Sequence, residues 1–147
     1  MTDHHAVDIL FVEDDPGDTE LTIRALHKHN YASKFIALSD GVQALDYIFC
    51  RGKYADRRIT DRPKVILLDL KLPLLSGLEV LKAIKGDART KMIPVIIVTS
   101  STQESDIKSA YELGANGYVI KPVDFNTFIE AMSHLVLYWL LVNRLPE

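Results

Sequence analysis

Four groups of residues that could do chemistry each follow a short apolar run of the sequence. These groups are Glu13-Asp14-Asp15, Asp69, Thr99-Ser100-Ser101 and Lys121. Crowded carboxylates are strongly unfavourable without a cation, and a few carboxylates with water form a typical Mg²⁺ site. Asp69 could also attack phosphorus and form an aspartyl phosphate. Lys121 and Thr99 would then supply a cation and a hydroxyl donor, since phosphoryl transfer depends mostly on positioning and charge neutralisation.

The apolar runs must position these groups. They lie at residues 9–12, 65–68, 95–98 and 117–120, and most are rich in valine and isoleucine. This pattern is typical of buried strands in a parallel sheet. Because ligands bind at the carboxyl ends of such strands, the four groups are expected at one edge of one sheet.

Helical patterns separate the strands. Asp15-Pro16 predicts an N-cap and a proline at the first helical position, with Glu20 in the first turn. Gly114 is the expected stop of the fourth helix, and the last helix is expected to begin near Asp124. The predicted apolar faces are Leu21, Ala25 and Leu26; Val42, Leu45, Ile48 and Phe49; Val80, Leu81 and Ile84; and Ile107, Ala110, Tyr111 and Leu113.

About five strand–helix units follow one another, once a short strand at 35–38 is included. This alternation predicts an α/β fold, a doubly wound five-stranded parallel sheet of the flavodoxin-like type with strand order 2-1-3-4-5. Residues 51–62 are polar and charged, and they predict a long surface loop.

Length and composition indicate a single domain over residues 1–147, with a core at about 8–135 and a helical extension at about 136–147. The formal net charge of −3 gives no electrostatic footprint for nucleic acid. Cys50 is the only cysteine, and no N-terminal signal pattern is visible. We therefore expect a cytoplasmic protein.

Taken alone, each of these residues could be a helix cap, a turn residue or a solvated charge. Together, in this order, they resemble the receiver domain of bacterial response regulators, the phosphoacceptor part of two-component signalling. The resemblance covers residues 8 to about 135. It is carried by Val12-Glu13-Asp14-Asp15, Leu67-Leu68-Asp69-Leu70 with Leu72-Pro73 and Ser76-Gly77, Val98-Thr99-Ser100, and Gly117-Tyr118-Val119-Ile120-Lys121-Pro122.

The resemblance implies an acceptor and a metal. Asp69 is the expected phosphorylated residue. Glu13, Asp14 and Asp69, with the backbone carbonyl of Lys71, are the expected ligands of Mg²⁺. Many members of the family have two aspartates where this chain has Glu13-Asp14.

The resemblance also implies a switch. Thr99 matches the switch hydroxyl, Tyr118 the switch aromatic residue, and Lys121 the lysine that contacts the phosphoryl group. The Lys121–Pro122 peptide bond is expected to be cis, which proline tolerates.

A narrower resemblance is to the small response regulators that partner bacterial phytochromes. It is carried by Gly52-Lys53-Tyr54, the polar loop that extends to Pro63, the run from Ile66 to Leu70, and the tail that bears Trp139. It implies a phytochrome-type sensor histidine kinase as the phosphodonor.

The expected function is that of a stand-alone response regulator, because about ten residues after the last receiver helix are too few for an output module. The phosphorylated domain would be read by another protein or would pass its phosphoryl group to a histidine phosphotransfer protein. One alternative is a phosphorylation-independent pseudo-receiver adaptor. Another is a phosphohydrolase, but such enzymes commonly need an aspartate where this chain has Lys71. We therefore expect a phosphoacceptor that catalyses only its own Mg²⁺-dependent phosphorylation and dephosphorylation.

The end of the chain is unusually apolar. Residues 135–142 form an unbroken apolar run, too short to cross a bilayer and more apolar than a surface helix requires. A membrane-surface helix would favour a basic polar face, and only Arg144 is near. We therefore predict a homodimer built on this tail, with Tyr138 and Trp139 among its anchors.

Overall fold

In the computed structural model, which describes residues 7–28 and 34–146, strands and helices alternate along the chain. A single 3-10 turn at Gly52–Tyr54 interrupts the alternation, and a π-helical segment at Tyr138–Val142 continues the last helix. The other elements are β1 (Ile9–Val12), α1 (Pro16–Lys28), β2 (Phe35–Leu38), α2 (Gly41–Ile48), β3 (Val65–Leu68), α3 (Gly77–Lys85), β4 (Val95–Thr99), α4 (Glu104–Glu112), β5 (Gly117–Ile120) and α5 (Phe125–Leu137).

The strands form a parallel sheet in the order β2-β1-β3-β4-β5, so the predicted fold class and strand order are confirmed. Val12 lies beside Leu68 in the register of β1 and β3. Thr99 lies beside Ile120 in the register of β4 and β5. The residues that follow these strand ends therefore leave the sheet at one edge, as the sequence pattern predicts.

Alternate residues of each central strand supply two separate cores, one on each face of the sheet. Leu10, Ile66 and Ile97 belong to the core covered by α2, α3 and α4. Phe11 and Leu67 belong to the core covered by α1 and α5. Burial on both faces explains why the strands are continuously apolar, without the alternation of a half-exposed sheet.

Four side chains cap the N-termini of helices and so define where these helices begin. They are Asp15, Asp40, Ser76 and Asp124. The carboxylate of Asp15 accepts a hydrogen bond from the Gly17 amide at 2.8 Å, which confirms the predicted cap. In the same way, Asp40 accepts from the Gln43 amide, Ser76 from the Glu79 amide and Asp124 from the Thr127 amide. The acidic residue in the first turn of α1 is Asp18; the prediction of Glu20 there was wrong, because Glu20 begins the second turn.

Two of the predicted helical faces need correction. Val42 of α2 is exposed, and Ala44 and Tyr47 occupy the buried positions instead. Tyr111 of α4 is also exposed, whereas Ala110 is buried. The face of α3 is confirmed, since Val80, Leu81 and Ile84 are fully buried. The prediction of α1 is confirmed for Ala25 and Leu26, while Leu21 is half-buried.

The stretch at 51–62 is not simply a surface loop. Tyr54 is buried, with its ring 5.0 Å from that of Tyr47 in an edge-to-face contact. Arg57 is buried as well, and its guanidinium lies 3.9 Å from the Tyr47 ring centroid. The polar composition misled the prediction because a buried arginine can be satisfied by backbone carbonyls and an aromatic face.

The Lys121–Pro122 bond is trans, since none of the peptide bonds in the described ranges is cis. The expectation of a cis bond was therefore wrong. The two isomers of a bond before proline differ by only about 0.5–1 kcal/mol, so neighbouring structure decides between them. The side chain of Lys121 reaches the acidic groups at the sheet edge with the bond in the trans form.

Helix α5 and the π-helical segment together form a continuous apolar stretch at 125–142, with a mean hydropathy of 1.3. It is longer than the run at 135–142 that the sequence pattern identified, and by length and composition it could cross a membrane. However, Phe128, Met132 and Val136 are buried in the core between the sheet and α1. Because only 22 % of the stretch is buried, we interpret it as a helix with one face in the core and its other faces exposed.

Candidate functional site

Three carboxylates meet at the predicted edge of the sheet. Glu13 follows β1, Asp14 is its neighbour, and Asp69 follows β3; an oxygen of each lies within 4.8 Å of the others. Glu13 and Asp69 are buried, whereas Asp14 is exposed. The backbone amide of Asp69 donates to the Val12 carbonyl at 3.1 Å, which holds the two strand ends together.

The loop after Asp69 is fixed by a close approach at Gly77. A Cβ atom at this position would lie 2.1 Å from the backbone oxygen of Asp69 and 2.6 Å from the Cα of Leu70. The Gly77 amide donates to the Leu70 carbonyl at 2.8 Å. Any larger residue would displace the loop and with it the Asp69 carboxylate.

Lys121 extends from the end of β5 into the same cluster. Its Nζ donates to Glu13 Oε1, to Asp69 Oδ2 at 2.9 Å and to Asp18 Oδ2 at 2.8 Å. Only 10 % of the Lys121 side chain is exposed. Burial alone would lower the pKa of Lys121, but the hydrogen bonds from its ammonium to Asp18, Glu13 and Asp69 outweigh it and raise the pKa above its usual range. The lysine is therefore a permanent cation.

Glu13 and Asp69 differ in their affinity for protons. Burial raises the pKa of Glu13 to about 8, and its hydrogen bond with Asp69 acts in the same direction. Burial also opposes ionisation of Asp69, yet hydrogen bonds from Glu13 and Lys121 keep its pKa below the usual value. Of the two carboxyls, Glu13 therefore holds a proton more tightly than Asp69, and an ionised Asp69 is a potential nucleophile.

This donor set fits a magnesium ion. Oxygen atoms of two buried carboxylates and one exposed carboxylate converge, and the open side at Asp14 leaves room for water. Lys71 lies next to the cluster, because its backbone amide donates to Asp69 Oδ1 at 3.1 Å. Glu13, Asp14 and Asp69 are therefore brought together as the sequence predicts.

The two predicted switch residues lie beside this cluster. Thr99 ends β4 and is fully buried, and its hydroxyl oxygen accepts a hydrogen bond from the Ser101 amide at 3.4 Å. Tyr118 is half-buried, and its hydroxyl donates to the Ser101 carbonyl at 3.0 Å. The side chain of Ser101 in turn donates to Asp106 Oδ2 at 2.6 Å. The loop between β4 and α4 thus connects Thr99, Tyr118 and the beginning of α4.

Tyr138 and Trp139 lie elsewhere. Trp139 and Leu140 line a cavity of about 240 Å³ together with Lys64, which precedes β3 and marks the opposite edge of the sheet. The predicted dimer residues are therefore separate from the acidic cluster, and no described contact joins them to it.

Asp18 is a site residue that the sequence analysis did not identify. It binds Lys121 from the first turn of α1, although it lies far from Lys121 in the sequence. The available signal was the spacing Asp15-Pro16-x-Asp18, because an N-cap at Asp15 places Asp18 in the turn that begins at the sheet edge.

Comparison with known proteins agrees with this geometry. A family model for the response regulator receiver domain matches residues 9–133. A probable methanogenesis regulatory protein, FilR2 of Methanothrix harundinacea, is 36% identical over 94% of this chain and 86% of its own length. The response regulator Rcp1 of Synechocystis is 35% identical over 94% of this chain and 92% of its own length.

Two solved structures are similar over nearly the whole chain. The Mn²⁺-bound form of Rcp1 superimposes with a TM-score of 0.85 at 34% identity, covering 95% of this chain and 98% of Rcp1. The phosphorylated cyanobacterial phytochrome response regulator RcpA superimposes with a TM-score of 0.88 at 34% identity, covering 97% of this chain and all of RcpA. With its strand order, its acidic cluster and these similarities, the chain belongs to the response regulator receiver domain family.

Proposed function

We propose that this protein is a response regulator that accepts a phosphoryl group on Asp69 from a sensor histidine kinase. The observation that carries the proposal is the contact of Lys121 Nζ with Asp69 Oδ2 at 2.9 Å, beside two further carboxylates. An ionised, buried Asp69 next to a fixed cation is a nucleophile in a site that can neutralise phosphoryl oxygens.

In the reaction, an Asp69 oxygen attacks phosphorus and a new O–P bond forms. The P–N bond to the kinase histidine breaks, and its electron pair returns to the imidazole. Lys121 donates to the phosphoryl oxygens. Glu13, Asp14, Asp69 and the Lys71 carbonyl would hold Mg²⁺, which supplies positive charge against the phosphoryl oxygens when it is bound.

Phosphorylation is proposed to act on the loop between β4 and α4. The Thr99 hydroxyl, whose oxygen accepts from the Ser101 amide, would move to donate to a phosphoryl oxygen. Because Tyr118 holds the Ser101 carbonyl, a shift of this loop would carry Tyr118 further inward and alter the surface formed by α4 and β5. Phosphorylation would thus shift the equilibrium between two arrangements of contacts that the protein can already form.

A phytochrome-type kinase is the proposed donor. RcpA is a phytochrome response regulator, and its structure superimposes on this chain over its full length. FilR2 has similar identity but is named for methanogenesis, so overall identity alone does not identify the input signal. A cytoplasmic location follows from the proposal, because a histidine kinase takes its phosphoryl group from ATP.

The surface that would receive the partner lies beside Lys121. Val123 is fully exposed, and 70 % of Phe125 is exposed. Phe125 also lines a shallow cavity with Leu21 and Asp18, at the beginning of α1. Apolar side chains next to the phosphorylation site suit the helices of a kinase or of a histidine phosphotransfer protein, either of which must bring its histidine to Asp69.

A homodimer through the tail is proposed as the assembled form. Leu137, Tyr138, Leu141 and Val142 are exposed and share one face of the helical tail. Trp139 is half-buried against the core and packs edge-to-face on Tyr138 at 5.1 Å. A second copy would cover this face with an identical apolar stripe, as a two-fold interface requires.

The test of the phosphoacceptor is incubation with acetyl phosphate and Mg²⁺, followed by intact mass measurement. The wild-type chain should gain one phosphoryl group, and Asp69→Asn should gain none while it stays folded. Asp15→Asn is the matched control, because asparagine preserves the helix cap and leaves the acceptor in place. A wild-type chain that stays unlabelled would support the pseudo-receiver alternative. Equal labelling of Asp69→Asn would refute the choice of acceptor.

A further inference from the structure

Lys121 has three ammonium donors and three carboxylate partners, each held by a different part of the fold. Glu13 follows β1, Asp69 follows β3, and Asp18 lies in the first turn of α1. A lysine side chain has many rotamers, so its partners determine where the ammonium lies.

Two of the three partners have other roles in the proposed reaction. Glu13 and Asp69 belong, with Asp14, to the cluster that could hold a metal ion. Asp69 also becomes bonded to phosphorus, which removes one negative charge from its carboxylate. Asp18 is absent from that cluster, so it can keep its bond to Lys121 throughout.

Asp18 is also firmly placed. Its helix is capped by Asp15, and its backbone carbonyl accepts the Thr22 hydroxyl at 2.9 Å. Thr22, Ala25 and Leu26 are buried on the helix face that packs towards the sheet and α5. Only 24 % of the Asp18 side chain is exposed, and its Oδ2 accepts from Lys121 Nζ at 2.8 Å.

We propose that Asp18 is a positioning residue for phosphoryl transfer, which holds the Lys121 ammonium beside Asp69 while the other two carboxylates are engaged. The inference rests on the proposed function and deepens it. Asp18 does not touch the reacting atoms; it acts only through Lys121. Its removal should therefore slow the reaction without removing the acceptor.

The experiment measures the rate of phosphorylation by acetyl phosphate at saturating donor and Mg²⁺. Asp18→Asn should react roughly tenfold more slowly than wild type, because misplacement of a catalytic group by about 1 Å can cost a hundredfold. Asp18→Glu keeps the carboxylate and should recover part of the rate. Glu20→Gln is the matched control: it removes the same charge from an exposed position on α1, where Glu20 pairs with Arg24, and should react like wild type.

A double-mutant cycle separates positioning from a merely structural role. In the Lys121→Met background, Asp18→Asn should have no further effect on the rate, because the lysine through which Asp18 acts has been removed. The same cycle on urea unfolding of the metal-free protein should show coupling between the two residues, which gives a readout independent of labelling.

Each result has a definite meaning. If wild type is not labelled at all, the proposed function fails, and the unfolding cycle still tests the contact. If wild type is labelled and Asp18→Asn reacts equally fast, the positioning role is wrong. If Asp18→Asn slows the Lys121→Met protein as much as it slows wild type, Asp18 does not act through Lys121, and the inference is overturned.

Discussion

The chemistry of single residues at this site depends on where one proton resides. Glu13 and Asp69 are both buried and close together, and one cation serves both. Their pKa values move in opposite directions: that of Glu13 rises to about 8, chiefly because it is buried, whereas hydrogen bonds lower that of Asp69. Of the two carboxyls, Glu13 therefore holds a proton more tightly, and the ionised form of Asp69 is favoured.

Binding of Mg²⁺ should therefore release a proton. A carboxylate must be ionised to bind Mg²⁺, so Glu13 has to lose its proton at any pH below about 8. Titration calorimetry near pH 6.5, in buffers of different ionisation enthalpy, should report a release that approaches one proton per ion. The apparent affinity for Mg²⁺ should rise with pH and level off above about 8.

Protonation of Glu13 also makes the free energy of unfolding depend on pH. Because the folded pKa of Glu13 lies above its ordinary value of 4.5, the folded chain binds more protons than the unfolded chain between pH 4.5 and about 8. The free energy of unfolding of the metal-free protein should fall as pH rises through that window. Glu13→Gln is the control for both measurements; a proton release that persists in this variant would mean that another group carries the proton.

Sequence patterns predicted Asp69 as the acceptor and Glu13 and Asp14 as metal ligands, but they indicated neither the raised pKa of Glu13 nor the contact of Asp18. The convergence of Glu13, Asp69 and Lys121 could be predicted from the sequence, because each residue follows a strand and parallel strands end at one edge of the sheet. The bond between Asp18 and Lys121 depends on how α1 leaves that edge, and the pKa of Glu13 depends on burial by residues distant in sequence. Neither leaves a periodic signal in the chain.

At the scale of elements, the segment between α2 and β3 shows where composition fails as a predictor. Its many charges indicate a solvated loop, and yet Arg57 is buried beneath the end of α2. Its guanidinium donates to the Tyr47 carbonyl, and to the Asp61 carbonyl at 2.7 Å. It also covers the Tyr47 ring. One arginine therefore joins the end of α2 to the segment that leads into β3.

Arg57→Ala should lower the free energy of unfolding by about 2–4 kcal/mol, because it leaves buried carbonyls without a donor and removes a cation–π contact. Arg57→Lys should recover little of this loss, since an ammonium cannot reproduce the planar fork of donors. Urea unfolding in the absence of metal measures both effects.

Arg58→Ala is the matched control for this element. Arg58 is the next residue, carries the same charge and is exposed, so its removal should change stability by no more than about 0.5 kcal/mol. Equal effects of the two substitutions would show that net charge, rather than the buried contacts of Arg57, stabilises this segment.

At the scale of the whole molecule, the sheet separates two surfaces. The acidic site occupies the carboxyl edge, and the apolar tail reaches the cavity beside Lys64, which precedes β3. The doubly wound sheet was predictable because strands and helices alternate, and the strand order belongs to the flavodoxin-like type that this alternation implies. The division of the tail into a buried and an exposed face was not, because every residue from 135 to 142 is apolar and only packing selects Val136 for the core.

The exposed face of the tail gives the last prediction, a homodimer. Tyr138→Ala together with Leu141→Glu should weaken self-association by roughly thirtyfold or more, since interface hot spots contribute about 2 kcal/mol or more. The folded monomer should tolerate both changes, because 48 % of Tyr138 and 66 % of Leu141 are exposed. Sedimentation equilibrium over a range of concentrations, with and without phosphorylation, measures the effect.

Tyr111→Glu is the control for an exposed apolar residue on another face, since 51 % of Tyr111 on α4 is exposed. A dimer built on the tail should persist in this variant, whereas a dimer built on α4 should dissociate. A wild-type chain that remains monomeric at high micromolar concentration in both phosphorylation states would contradict any homodimer. Point substitutions test the tail better than removal of residues 135–147, because that truncation would also remove Val136 from the core.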